Sequence, residues 1–220
     1  MARRILVTQR VVENESYKER RDALSQEWSG FIENLFPNAA IIPVPNTLAD
    51  VRAWADIIGA DALVLTGGND WGTAPERDAT ETSLVALFSD CGLPIFAVCR
   101  GLQALNAIHG GQLTTDLTDV TSVPHIARNH EVSVTGSVFQ ELAGGPTITV
   151  NSFHGQGVLA SEVDDRFRPF ATAPDEVVEG IYHCSAPVLA IQWHPERESP
   201  SSAFDSELMV RLFRDGAFWL

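Results

Sequence analysis

The chain has 220 residues, 45% of them hydrophobic, with 16 Gly and 12 Pro; these proportions suit one folded domain and exclude a disordered, collagen-like or low-complexity chain. A formal net charge of −14 repels phosphodiester backbones and acidic lipid surfaces, so the expected partner is a small molecule, with no nucleic acid and no membrane. Cys91, Cys99 and Cys184 are odd in number and lack CxxC spacing, which argues against a disulfide framework or a structural zinc site and fits a reduced, cytoplasmic setting.

The opening Met1 to Arg10 is basic, but its apolar stretch Ile5-Leu6-Val7 is shorter than the roughly 7–15 residues of an export-signal core. No apolar run, Leu93 to Cys99 included, approaches the ~18 residues of a membrane span. Ile5 to Val7 reads as a buried strand, and Leu24, Trp28, Phe31, Ile32 and Leu35 give helical spacing that predicts a helix over Tyr17 to Leu35. Strand Ile41 to Val44, helix Leu48 to Ile58 and strand Ala62 to Leu65 follow, the last running into Thr66-Gly67-Gly68. Then come helix Thr80 to Phe88, strand Leu93 to Val98 and helix Arg100 to His109, closed by Gly110-Gly111. Alternating strands and amphipathic helices imply a parallel sheet covered on both faces.

After Gly111 the strands are short and often alternate: Val132 to Val134, Ile148 to Val150, Phe167 to Ala171, Val177 to Ile181 and Val188 to Trp193, with a closing helix Glu207 to Phe213. This half is expected to be antiparallel or mixed. No internal repeat and no linker divides the chain, so residues 1–220 read as one domain.

Ligands of open α/β sheets gather at the carboxyl ends of strands. There Leu93 to Val98 runs directly into Cys99-Arg100-Gly101-Leu102-Gln103, placing a thiol on the turn between a buried strand and a helix. That is a nucleophile-elbow arrangement, with Gly101 small enough for the sharp turn. Helix N-terminal amides stabilise negative charge on the sulfur, and amides left free by the turn can receive an oxyanion. Alone, Cys99 reads equally well as a small buried hydrophobe. His194-Pro195-Glu196, at the end of Val188 to Trp193, supplies a base for the thiol and a carboxylate to orient it.

These residues carry a resemblance. Cys99-x-Gly101-x-Gln103 after a strand, with His194-Pro195-Glu196 near the C-terminus, resembles the Cys-His-Glu triad of class I glutamine amidotransferases. Cys99 to Asn106, Gly110-Gly111-Gln112-Leu113, Asp116-Leu117 and Gln192 to Glu196 are similar to the γ-glutamyl-γ-aminobutyrate hydrolase branch. So is Val150 to Gln156, although Asn151-Ser152-Phe153-His154-Gly155-Gln156 departs from that branch's Asn-Ser-x-His-His-Gln. The resemblance spans Leu63 to Glu196. It implies an α/β, flavodoxin-like, mostly parallel sheet with helices on both faces plus a smaller antiparallel or mixed sheet. It also implies attack by Cys99 on a γ-glutamyl amide, a glutamyl thioester that water cleaves, and an oxyanion hole made by Gly68 and the amide of Arg100. No cofactor is implied. Gln103 is placed near the glutamyl head group, against the alternative of a helix-surface glutamine; Asn151, Ser152 and His154 are placed as pocket contacts.

Among the other histidines, His109 at a helix end and His183 in strand-like sequence read as structural. His125 and His130 flank a polar loop with no Asp/Glu/Cys cluster nearby in sequence, so no metal site is expected. The leaving amine is left open. Arg3, Arg4, Arg10, Lys18, Arg20 and Arg21 are 6 of the 15 basic residues and make a positive island on an acidic body. Arg10 with Arg20 or Arg21 either grips a carboxylate or phosphate of the substrate or belongs to a salt-bridged helix start. This opening segment resembles γ-glutamyl hydrolases of capsule-modification pathways, whose leaving group is a cytidine diphosphate phosphoramidate (γ-glutamyl-CDP-amidate). A rival reading is a glutaminase subunit that passes ammonia to a partner synthetase; another is a non-catalytic relic of the fold.

Overall fold

The computed structural model describes residues 3–121, 123 and 125–220, so Met1 and Ala2 of the basic opening lie outside the described residues. In chain order, strand β1 (Arg4–Val7) leads into a hairpin of β2 (Arg10–Asn14) and β3 (Glu19–Ala23), then helix α1 (Gln26–Leu35) and β4 (Ala40–Pro43). Next come α2 (Val51–Ile58), β5 (Ala62–Leu65), α3 (Pro75–Asp90), β6 (Ile95–Val98) and α4 (Arg100–His109). The second half contains β7 (Ile126–Val134), α5 (Ser137–Ala143), β8 (Thr147–Phe153), β9 (Phe167–Thr172), β10 (Val178–His183), β11 (Val188–Ile191) and α6 (Ser202–Asp215).

Nine strands form one sheet in the order β4-β1-β5-β6-β11-β10-β9-β7-β8. The pairings from β4 through β11 are parallel and those from β11 to β8 antiparallel. The antiparallel half therefore continues the central sheet, and the separate small sheet is the β2–β3 hairpin.

The expected helix over Tyr17 to Leu35 is corrected. Its apolar stripe begins only at Leu24, and the charged residues before it pair across the hairpin, Glu13 opposite Arg20 and Val12 opposite Arg21. Helix α1 starts where Ser25 caps it by accepting the Glu27 N–H. Helix α2 is shorter than expected because Asp50 caps it at Ala53 N–H, 2.9 Å away. Helix α3 is longer, with Pro75 supplying the pre-set φ of a first turn. Helix α5 was not expected.

The parallel strands are buried on both faces, and alternate residues divide between two cores. Ile5, Val7, Val64, Phe96, Val98 and Ile191 face Trp28 and Ile32 of α1 and Leu208 and Leu212 of α6. Leu6, Leu63, Leu65, Ile95, Ala97 and Ala190 face α2, α3 and α4 through Ala55, Leu84, Phe88, Leu102 and Leu105. The adjacent carboxyl ends of β5, β6 and β11 thus bring Thr66-Gly67-Gly68, Cys99 and His194 to one rim. Among the described residues no helix is long and apolar enough to cross a membrane.

Candidate active site

Cys99 occupies the turn between β6 and α4 with φ 55° and ψ −110°, a conformation that costs a non-glycine residue about 1–3 kcal/mol and persists only where neighbours enforce it. The neighbours are identifiable. The Cys99 N–H donates to Ile191 O at 2.8 Å, tying the turn to β11. A Cβ on Gly101 would stand 2.6 Å from Leu65 O, so the first helical turn approaches the sheet more closely than any side chain permits. The N–H groups of Arg100 and Gly101 lie in that first turn, where an α-helix offers no internal acceptor.

His194 enters from the end of β11. Its Nδ1 is 2.8 Å from Glu196 Oε1, and a Cβ on the intervening Gly67 would lie 2.9 Å from His194 Cε1 and 3.5 Å from Cys99 Cβ. Burial pushes His194 down, but hydrogen bonding and charge from Cys99 and Glu196 outweigh it and raise its pKa to about 9. Against an ordinary value of 6.5, the proton on His194 contributes stability that is fully present below about pH 6.5 and lost as pH rises through about 9. NMR titration of the His194 ring is expected to give a midpoint near 9 in the wild type and a lower one in Glu196→Gln. An unchanged midpoint would remove Glu196 as the residue that charges the ring.

The Thr66-Gly67-Gly68 turn is held from below by Arg77, whose side chain is fully buried. Its guanidinium donates to Thr66 O at 2.7 Å, Gly67 O at 3.2 Å and Gly68 O at 2.7 Å. In a trans peptide the N–H points opposite the carbonyl, so the Gly68 N–H is directed away from Arg77. Arg77 also pairs with Glu81 at 2.9 Å, and Glu81 with Arg100, which in turn reaches Asp78. Burial lowers Arg77 to about 10 and Arg100 to about 9, leaving both charged at neutral pH. Arg100 is thus beside Cys99 in sequence, with its side chain turned into this network rather than toward a ligand.

A cavity of about 240 Å³ is lined by Arg10, Gly68, Cys99, Gln103, His154 and His194, among others. A second, of about 380 Å³, shares Arg10, Gly68, His194 and Arg197 with it and adds Val12, Leu24, Ser25 and Trp28. Gln103 is buried, not on the helix surface; its Nε2 donates to Gln156 O at 2.9 Å. Arg10 lies directly over Gly68. Arg20 is paired with Glu76, and Arg21 with Glu19 and Tyr17; neither lines these cavities.

Asn151 is turned to the main chain. Its Oδ1 accepts from His194 N at 2.8 Å and its Nδ2 donates to His194 O at 2.9 Å, clamping the histidine's backbone. Ser152 Oγ donates to His125 O at 2.6 Å. His109, as expected, serves its helix end, with Nδ1 2.8 Å from Leu105 O.

Several residues of the site are not apparent from the sequence. Arg197, directly after His194-Pro195-Glu196, stands 4.4 Å over the Phe153 ring and borders both cavities; its position next to the motif was the available signal. The expectation that His125 and His130 have no acidic cluster nearby is also corrected. The fold brings His125, His154 and Glu179 together, with His130 beside them, although Glu179 is remote in sequence and sits at an irregularity of β10.

A family model described as Peptidase C26 matches residues 5–196. A γ-glutamyl-γ-aminobutyrate hydrolase of Escherichia coli O157:H7 is 32% identical over 187 residues, covering 78% of this chain and 70% of that protein. A γ-glutamyl-CDP-amidate hydrolase of Campylobacter jejuni is 26% identical over 200 residues, covering 88% of this chain and 90% of that one. In three dimensions, a glutamine amidotransferase from Thermotoga maritima shares the fold with a TM-score of 0.64 at 15% identity, covering 98% of this chain and 84% of that one.

Proposed function

The chain belongs to the peptidase C26 family of class I glutamine amidotransferase-like proteins, and from that premise we propose that it hydrolyses the γ-glutamyl amide bond of a small metabolite through a thioester on Cys99. The reading rests chiefly on the convergence of a thiol held on strained backbone at the N-terminus of α4 with an imidazole that holds its proton to about pH 9.

In the proposed reaction Cys99 Sγ attacks the γ-carbonyl carbon. The carbonyl oxygen takes up negative charge facing the N–H groups of Gly68 and Arg100, which are fixed before the substrate arrives and need no reorganisation. His194 gives its proton to the departing nitrogen as the C–N bond breaks, leaving a γ-glutamyl thioester and a free amine. Neutral His194 then takes a proton from water, whose oxygen attacks the thioester; L-glutamate leaves and the pair of anionic sulfur and protonated His194 that began the cycle is restored. Glu196 holds the ring tautomer in both halves.

Arg10 and Arg197 stand where the two cavities meet, so the leaving group passing between them is anionic in this proposal. That favours a nucleotide phosphoramidate such as the CDP-amidate over γ-aminobutyrate, because a diphosphate offers oxygens to both guanidiniums at once, whereas a single carboxylate pairs bidentately with only one. Arg10→Ala is expected to lower kcat/KM on a γ-glutamyl phosphoramidate nucleotide about 10–100-fold, the worth of one charge-assisted hydrogen bond, and to spare γ-glutamyl amides with neutral leaving groups. Equal losses on both would sink the assignment of Arg10. The reaction itself is tested by incubating the chain alone with glutamine, γ-glutamyl amino acids and a γ-glutamyl nucleotide phosphoramidate while scoring glutamate release. Turnover without a partner supports a stand-alone hydrolase, and dependence on an added synthetase would support an ammonia-delivering subunit instead.

A further inference from the structure

Behind the cavity wall, three histidines converge on one carboxylate. His125 Nδ1, His130 Nε2 and His154 Nε2 each lie 3.5 Å from Glu179 Oε1. The Glu179 side chain is fully buried, and those of His125 and His154 are 1% and 2% exposed. Among the described residues, the facing atoms of all three rings and both Glu179 oxygens have no hydrogen-bond partner, a costly arrangement for buried polar groups.

The outward sides of the two inner rings are, by contrast, well supported. His154 Nδ1 is 2.9 Å from Gln156 O; a carbonyl can only accept, so Nδ1 carries the hydrogen and the Nε2 lone pair of the neutral ring points inward. His125 Nε2 is 2.9 Å from Asp175 Oδ2, and Asp175 is itself steadied by Thr121 Oγ1 at 2.7 Å. In the neutral ring this leaves the His125 Nδ1 lone pair facing Glu179. Carboxylate–imidazole and carbonyl–imidazole pairs of this kind orient histidines that ligate metals.

The spacing has a direct geometric meaning. An ion bound tetrahedrally at about 2.0–2.2 Å from nitrogen and oxygen donors sets neighbouring donors about 3.3–3.6 Å apart. The three histidine–carboxylate separations are 3.5 Å, and the donor atoms of His125, His154 and Glu179 all lie within 4.8 Å of one another. We propose that His125, His154 and Glu179, with His130 beside them, form a buried site for a divalent transition-metal ion of the zinc type. Imidazole-rich donors exclude calcium and magnesium, which take oxygen ligands. The ion would join β7 and β10 to the loop after β8, whose Gln156 carbonyl also receives Gln103 in the Cys99 cavity. It is placed to stiffen that wall, and the inference is independent of the reaction proposed above.

The test uses the untagged full chain carrying Cys99→Ala, so that the thiol and His194 cannot act as a competing site. After chelation the protein is titrated with Co²⁺ as a visible probe and with Zn²⁺ by competition, with metal content measured after dialysis. One ion per chain is expected, with intense tetrahedral Co²⁺ absorption and a higher Tm with Zn²⁺ present. Glu179→Gln is expected to weaken binding at least tenfold; Asp175→Asn, which removes only the support of His125, ten- to hundredfold. The second variant decides the matter should the first not fold. Absence of stoichiometric binding, or undiminished affinity in the folded variants, overturns the proposal.

Discussion

Cys99→Ala is expected to lower glutamate release by at least about 10⁴-fold in kcat while γ-glutamyl compounds still bind, because removing a nucleophile eliminates the covalent route and leaves only binding and oxyanion stabilisation. The variant should fold. The backbone at Cys99 is held by the Ile191 carbonyl and by the close approach of Gly101 to Leu65, neither of which uses the sulfur. His194→Asn is expected to cost nearly as much, since a nucleophile and its proton partner act as one unit and their losses do not add. Glu196→Gln should cost less, as it leaves the imidazole in place. The measurements are kcat and KM for each variant on one γ-glutamyl amide and the Kd of that amide for Cys99→Ala. Near wild-type release from Cys99→Ala would end the assignment of the nucleophile.

The reactive elbow was legible because its signals are local. A continuous apolar strand, a thiol and a small residue two positions later lie within one short segment, and the two-faced burial of β1, β5, β6 and β11 follows from their unbroken apolar runs. The β2–β3 hairpin is obscured in the sequence because the helical spacing of Leu24 to Leu35 invites extension backward over residues with no apolar stripe. Their preference is expressed only across strands, as at Glu13 and Arg20. Asn151 was legible as part of the site but not in its manner of acting, for a sequence does not tell a side chain that touches substrate from one that grips the His194 backbone. The His125, His154 and Glu179 group was illegible for the reason buried clusters usually are: its members come from a loop before β7, a loop after β8 and the start of β10. Arg77 is the extreme case. It lies before the expected helix start at Thr80, and only the fold reveals it as fully buried.

That burial makes Arg77 the site of the second large effect. Arg77→Met is expected to destabilise the protein by about 3–5 kcal/mol, the cost of removing one partner from a buried ion pair. Glu81 would keep Arg100, but the carbonyls of Thr66, Gly67 and Gly68 would lose the donor that now satisfies all three. Arg77→Lys retains the charge without the planar fork and cannot reach three carbonyls and a carboxylate at once. It should therefore recover part of the stability while the turn, and with it the direction of the Gly68 N–H, stays loosened. Loss of one oxyanion donor lowers kcat by about 10²–10³-fold in enzymes of this kind of chemistry, so Arg77→Lys is expected to lose kcat with KM nearly unchanged. Urea unfolding separates the stability term, and steady-state kinetics at a temperature where the variant remains folded separates the catalytic one. A Lys variant with wild-type kcat would show that Arg77 holds the fold without setting the oxyanion donor. A variant with raised KM and intact kcat would mean that the turn positions the glutamyl group in the ground state.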